Sequence, residues 1–81
     1  LRVQLVSAAD KLHNATAIVS DAKFDVAQGQ VGAVWRRFNA SPNDIIWYYR
    51  GVVAALQPQL AGTSLLLRLS EAVEQLELLL P

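Results

Sequence analysis

Apolar residues recur three and four positions apart along the chain, and they nowhere alternate with period two for long enough to suggest a strand. Leu5, Ala9, Leu12, Thr16 and Val19 share one face, which predicts a first helix from about Arg2 to about Lys23 with no Gly or Pro inside it. Phe24 to Gln30 reads as a loop ending near Gly29. A second, short helix is expected over Val31 to Phe38, with Val34, Trp35 and Phe38 on its apolar side and Arg36 and Arg37 turned elsewhere. Ser41 is then a good N-cap, Pro42 fits the first helical position, and Asp44 falls in the electropositive first turn. The third helix is expected from Pro42 to Leu56. Ile45, Tyr48, Val52 and Leu56 form its stripe, Ile46, Tyr49 and Val53 flank it, and Pro58 is expected to end it. Gln59 to Gly62 connects to a fourth helix, capped by Thr63 or Ser64 and running to about Leu79. There Leu66, Leu69, Val73, Leu76 and Leu80 alternate three and four apart.

These segments give an all-α fold: a small bundle of about four helices, or the helical half of a larger one. With 81 residues the chain is one domain or a piece of one, and a chain of that length buries only about 60% of its unfolded surface. Hydrophobic residues are 53% and charged residues 17%, so apolar surface is in excess and is expected to meet an oligomer interface or a further part of the protein. The start at Leu1, already within an apolar-patterned segment, leads us to expect a fragment.

Charge and residue usage then narrow the chemistry. Without cysteine and with His13 as the single histidine, thiolate chemistry and a multi-histidine metal site within the chain are excluded. Seven basic residues balance seven acidic ones, which argues against nucleic acid or an anionic membrane as partner. Arg68, Glu71, Glu74 and Glu77 interrupt the leucine runs, so no membrane helix is expected. No targeting segment is visible, and the default is a soluble cytoplasmic protein.

The first helix carries the informative residues. Asp10 and Asn14 are four apart and project from one face, with Ser7, Ala17 and Asp21 near that side and Lys11 and His13 flanking it. If that carboxylate is buried, it needs a cation or hydrogen-bond donors to offset its lost hydration, and a divalent metal is one such cation. The competing reading is a solvated helix face.

Arg36 and Arg37 could bind phosphate, although a solvated face is favoured; Arg50 could pair with Asp44 or with a helix carboxyl end. Trp35, Phe38, Trp47, Tyr48 and Tyr49 could stack on a base, but are expected to fill the core between the second and third helices. The fourth helix has helix-pairing spacing over about two heptads, which leaves a homodimer through the 64–80 helix open.

The run Ala9-Asp10-Lys11-Leu12-His13-Asn14 resembles a segment of the HD-family metal-dependent phosphohydrolases, in the branch similar to the (p)ppGpp hydrolase domains of RelA/SpoT proteins. Val34-Trp35-Arg36-Arg37-Phe38-Asn39 and Trp47-Tyr48-Tyr49-Arg50 look like stretches of small stand-alone bacterial members, so the resemblance covers roughly Leu1 to Leu56. It implies an all-helical enzyme that holds a divalent metal, with Mn2+ first and Fe, Zn or Mg as alternatives. The ligands would be a histidine, a His-Asp pair and a later aspartate. By that match Asp10 is the last metal ligand, Asn14 contacts a nucleotide or other phosphorylated small molecule, and Lys11 assists with its charge. The upstream histidine and the His-Asp pair are absent here. The resemblance therefore implies residues 1–81 as a single partial domain, inactive alone. Thr16 and Ala17 stand where the (p)ppGpp hydrolases commonly carry Arg and Thr, which puts guanosine specificity in doubt. The rival expectation, from another class, is a non-catalytic helical interaction or oligomerisation module.

Overall fold

A computed structural model describes residues 2–81, so Leu1, where both the apolar start of the chain and the resemblance begin, lies outside the described residues. There are three α-helices among the described residues, α1 (Arg2–Ala27), α2 (Pro42–Leu60) and α3 (Ser64–Leu78), with a single 3-10 turn, Val34–Arg37, between the first two. The class is all-α as expected; the count of about four helices is corrected to three.

The correction has a local cause. α1 runs past Lys23 to Ala27 because nothing breaks it before Gly29, whose φ of 73° closes it in a Schellman motif. Gln30 N–H donates to Asp25 O at 2.8 Å and Gly29 N–H to Val26 O at 3.1 Å. Gly32, at φ 85°, then forbids a helix over Val31–Phe38, and a Cβ there would sit 3.3 Å from Pro81 Cβ. Only one 3-10 turn fits. Its first free amide, Val34 N–H, donates to Asp25 Oδ2 at 2.7 Å.

α2 starts where the sequence places it, with Ser41 Oγ accepting from Asp44 N–H at 3.2 Å. It does not stop at Pro58. Proline removes one amide donor, and at Pro58 the acceptor left free lies one turn back, at Ala54, on an exposed side where water can satisfy it. The helix goes on to bury Leu60 completely. Thr63, not Ser64, caps α3: its Oγ1 accepts from Leu66 N–H at 3.2 Å and donates to Leu60 O at 2.6 Å.

The connections make α1 and α3 parallel, with α2 antiparallel to both, in a body of 41 × 21 × 17 Å. α3 buries the stripe read from its sequence: Leu66, Leu69, Val73 and Leu76. α1 does not. Its buried positions are Ala8, Ala15, Ile18 and Ala22, one residue round from the expected face; Leu12 and Val19 pack at its edge, while Leu5, Ala9 and Thr16 are exposed. Alanines there let the leucines of α3 approach closely, so the large side chains of the core come mainly from one partner. Trp35 is buried under the end of α3, its indole N–H donating to Leu79 O at 3.2 Å, and Tyr49 of α2 is also buried. Trp47, expected in that core, is 79% exposed, and Tyr48 and Phe38 are also exposed. No helix among the described residues is long and apolar enough to cross a membrane.

Candidate functional site

Asp10, Lys11 and Asn14 all sit within the unbroken helix α1, so their relative positions follow from helical geometry. Asp10 and Asn14 lie on its exposed side, as their four-residue spacing requires. Lys11, one position round, falls on the buried stripe. Its side chain is about a quarter exposed (26%) and that of Asp10 largely exposed (63%), with Lys11 Nζ 3.7 Å from Asp10 Oδ2. The lysine stem thus covers apolar surface while the ammonium emerges beside the carboxylate.

Because Asp10 is hydrated, burial does not create a demand for a cation at this position, and the condition on which the sequence argument for a metal rested is not met. No group of three His, Cys, Asp or Glu side chains that could hold a metal occurs among the described residues. His13 is exposed and belongs to no such group. Asp10 is therefore at most one ligand of a set completed by other residues.

Two features surround these residues. Arg2, Val3, Val6, Ser7 and Asp10 line a shallow hollow of about 470 Å³, so the carboxylate stands at the edge of exposed valines. On the other side Lys11 meets the aromatic pair of α2, where Tyr48 and Tyr49 pack edge to face with ring centroids 5.4 Å apart. Interaction with the Tyr48 phenol, and more weakly with Asp10, raises the Lys11 pKa above its ordinary value. Burial raises that of Tyr49, with the neighbouring Tyr48 adding to it. Tyr48 and Tyr49 also border a second hollow of about 340 Å³ with Ile18, Phe38, Ala40, Asp44 and Ile45.

The other candidates are engaged elsewhere. Arg37 pairs with Asp21 at 2.7 Å, so Asp21, placed near the Asp10 side by sequence, serves to hold the 3-10 turn against α1. Arg36 is exposed. Arg50 pairs with Glu77 of α3, not with Asp44. The helix-pairing stripe of α3 is spent on α1 and α2, leaving Leu67 and Leu78 exposed on that element. Sequence reasoning missed Tyr48 as the neighbour of Lys11 and Asp25 as the cap of the 3-10 turn. Neither could be found from spacing, since both depend on how separate elements pack. Compared with protein-family models, curated proteins and solved structures, the chain shows no match.

Proposed function

We propose that this chain is the C-terminal part of an HD-family metal-dependent phosphohydrolase of the cytoplasm, acting on a phosphate ester or pyrophosphate of a nucleotide. The observation that carries the reading is the juxtaposition of Asp10 and Asn14 on one exposed face of α1, with the Lys11 ammonium beside the carboxylate. Exposed Val3 and Val6 next to Asp10 give a further ligand-bearing element an apolar surface to meet.

In this reading Asp10 supplies one carboxylate to a divalent metal, Mn2+ first and Fe, Zn or Mg as alternatives, whose remaining ligands come from outside residues 2–81. The donor set among the described residues is too small to hold that ion by itself. Lys11 offsets phosphate charge and Asn14 orients the substrate through its amide, which can donate and accept.

The test begins with the coding sequence upstream of Leu1, where a histidine and a His-Asp pair are expected within about a hundred residues, roughly one domain length. In the complete protein, Asp10→Ala abolishes metal-dependent phosphate release with the helical circular dichroism unchanged, since an exposed side chain carries little of the fold. Asn14→Ala raises KM for the nucleotide. Full hydrolysis by the Asp10→Ala protein would overturn the reading. A second reading, a non-catalytic helical module, is favoured by one specific observation: the large exposure of Trp47 on α2.

A further inference from the structure

The hollow of about 340 Å³ that Tyr48 and Tyr49 border is walled from three directions: by Ile18 of α1, by Phe38 and Ala40 of the loop before α2, and by the first two turns of α2. Its volume falls at the lower end of small-molecule pockets, which run from about 300 to about 1,000 Å³. Three of the side chains that line it are aromatic, Phe38, Tyr48 and Tyr49, and a single one is charged, Asp44. Tyr49 belongs to the core, but Phe38 and Tyr48 keep much of their surface in water, which is costly for rings that serve no contact.

Asp44 is the second observation. Its backbone N–H donates to the Ser41 cap, but its carboxylate takes part in no ion pair or hydrogen bond among the described residues. The cations that could have neutralised it are engaged elsewhere. Arg37 is held by Asp21 and Arg50 by Glu77. Lys11 meets Tyr48 from the α1 side, outside the lining of the hollow, and its charge is offset by Asp10 at 3.7 Å. A first-turn position accounts for an acidic residue in α2; it does not account for exposed rings gathered beside that residue.

The combination selects one class of ligand. An anion would be repelled by Asp44, and a neutral apolar molecule would cover the carboxylate without offsetting its lost hydration. A small inorganic cation is strongly hydrated and gains nothing from a wall made of Ile18, Ala40 and Ile45. An organic ammonium ion satisfies every part of the site. Its alkyl groups bury apolar surface, its weakly hydrated charge is attracted by the ring faces of aromatic side chains, and the carboxylate supplies the counter-charge.

We propose that this hollow binds a small organic ammonium ion, with Asp44 as counter-charge and Phe38 and Tyr48 as the aromatic contacts. The hollow is open to solvent on one side, so the contacts stay partly hydrated and the Kd is on the order of 1 mM. The site goes beyond the hydrolase reading and does not depend on it, since neither Asp10 nor Asn14 lines it.

Choline titrated into isotope-labelled protein at constant ionic strength, with backbone amide shifts followed by nuclear magnetic resonance, tests it. The expected result is a saturable shift centred on residues 38–49 and on Ile18. The uncharged analogue of choline, in which carbon replaces the nitrogen, binds at least tenfold more weakly, and sodium chloride gives no saturable shift. Asp44→Asn removes the counter-charge, and Phe38→Leu keeps an apolar side chain without the ring. Each weakens choline binding at least fivefold with the helical circular dichroism unchanged, since both positions are exposed. Choline that does not saturate at fifty times the expected Kd overturns the proposal. So does equal binding of the uncharged analogue, or an affinity that either variant leaves unchanged.

Discussion

Tyr49 and Lys11 show how a residue's role is set by what packs around it. Both hold their protons more tightly in the fold than in an open chain, Tyr49 chiefly through burial and Lys11 chiefly through Tyr48. A group whose pKa is raised by folding leaves stability intact below its unfolded pKa and removes it as pH climbs through the folded one. Thermal stability is therefore expected to be level near neutrality and to fall from about pH 10 upward, where tyrosine and lysine titrate. Tyr49→Phe should flatten part of that decline, read as melting midpoint against pH between 8 and 11; an unchanged slope would assign it elsewhere. At this scale the sequence did well with Asp10 and Asn14, whose shared face follows from helical spacing alone. It could not tell that Asp10 is hydrated, because burial depends on which side of α1 meets α3.

Among the elements, α2 departs most from its sequence reading. Proline is normally a stop signal, yet α2 continues for two residues after Pro58 to bury Leu60. The apolar anchor outweighs one lost hydrogen bond on a wet side of the helix. Pro58→Ala should then stabilise the protein, since it restores that bond against a small gain in unfolded-state freedom. The expected gain is about 1 kcal/mol, well under the ~3 kcal/mol that proline costs in a helix interior, and urea denaturation would measure it. A loss of stability would mean that Pro58 has a packing role. The 3-10 turn is the converse case, where apolar spacing suggested a helix and two left-handed glycines overruled it. The glycines were visible in the sequence, but the positive φ of Gly32 and its close approach to Pro81 were not.

For the whole molecule, the core is lopsided: the large side chains of α2 and α3 are set against the alanines and Ile18 of α1. Stability is accordingly expected to concentrate where α2 and α3 pack together. Leu69 is completely buried, and Leu69→Ala is expected to cost about 2–5 kcal/mol. That is a large share of the roughly 4–12 kcal/mol available to a chain of this length. Leu67→Ala, on the exposed side of the same helix, should change the urea midpoint by less than about 0.5 kcal/mol. Equal effects would contradict the packing. The α3 stripe that suggested a homodimer is consumed within the bundle, while α2 keeps Trp47 outside.

The sequence by itself determined the all-α class, the capped starts of α2 and α3, the stripe of α3, and the shared face of Asp10 and Asn14. Each of these rests on periodicity or on a cap within a few residues. Only the tertiary structure decided which side of α1 is buried, which tryptophan is core, whom Arg50 and Asp21 pair with, and that Lys11 lies against Tyr48. Those outcomes depend on residues far apart in the chain meeting in one register. A stripe of mixed small and large side chains, such as that of α1, does not specify that register until its partner is in place.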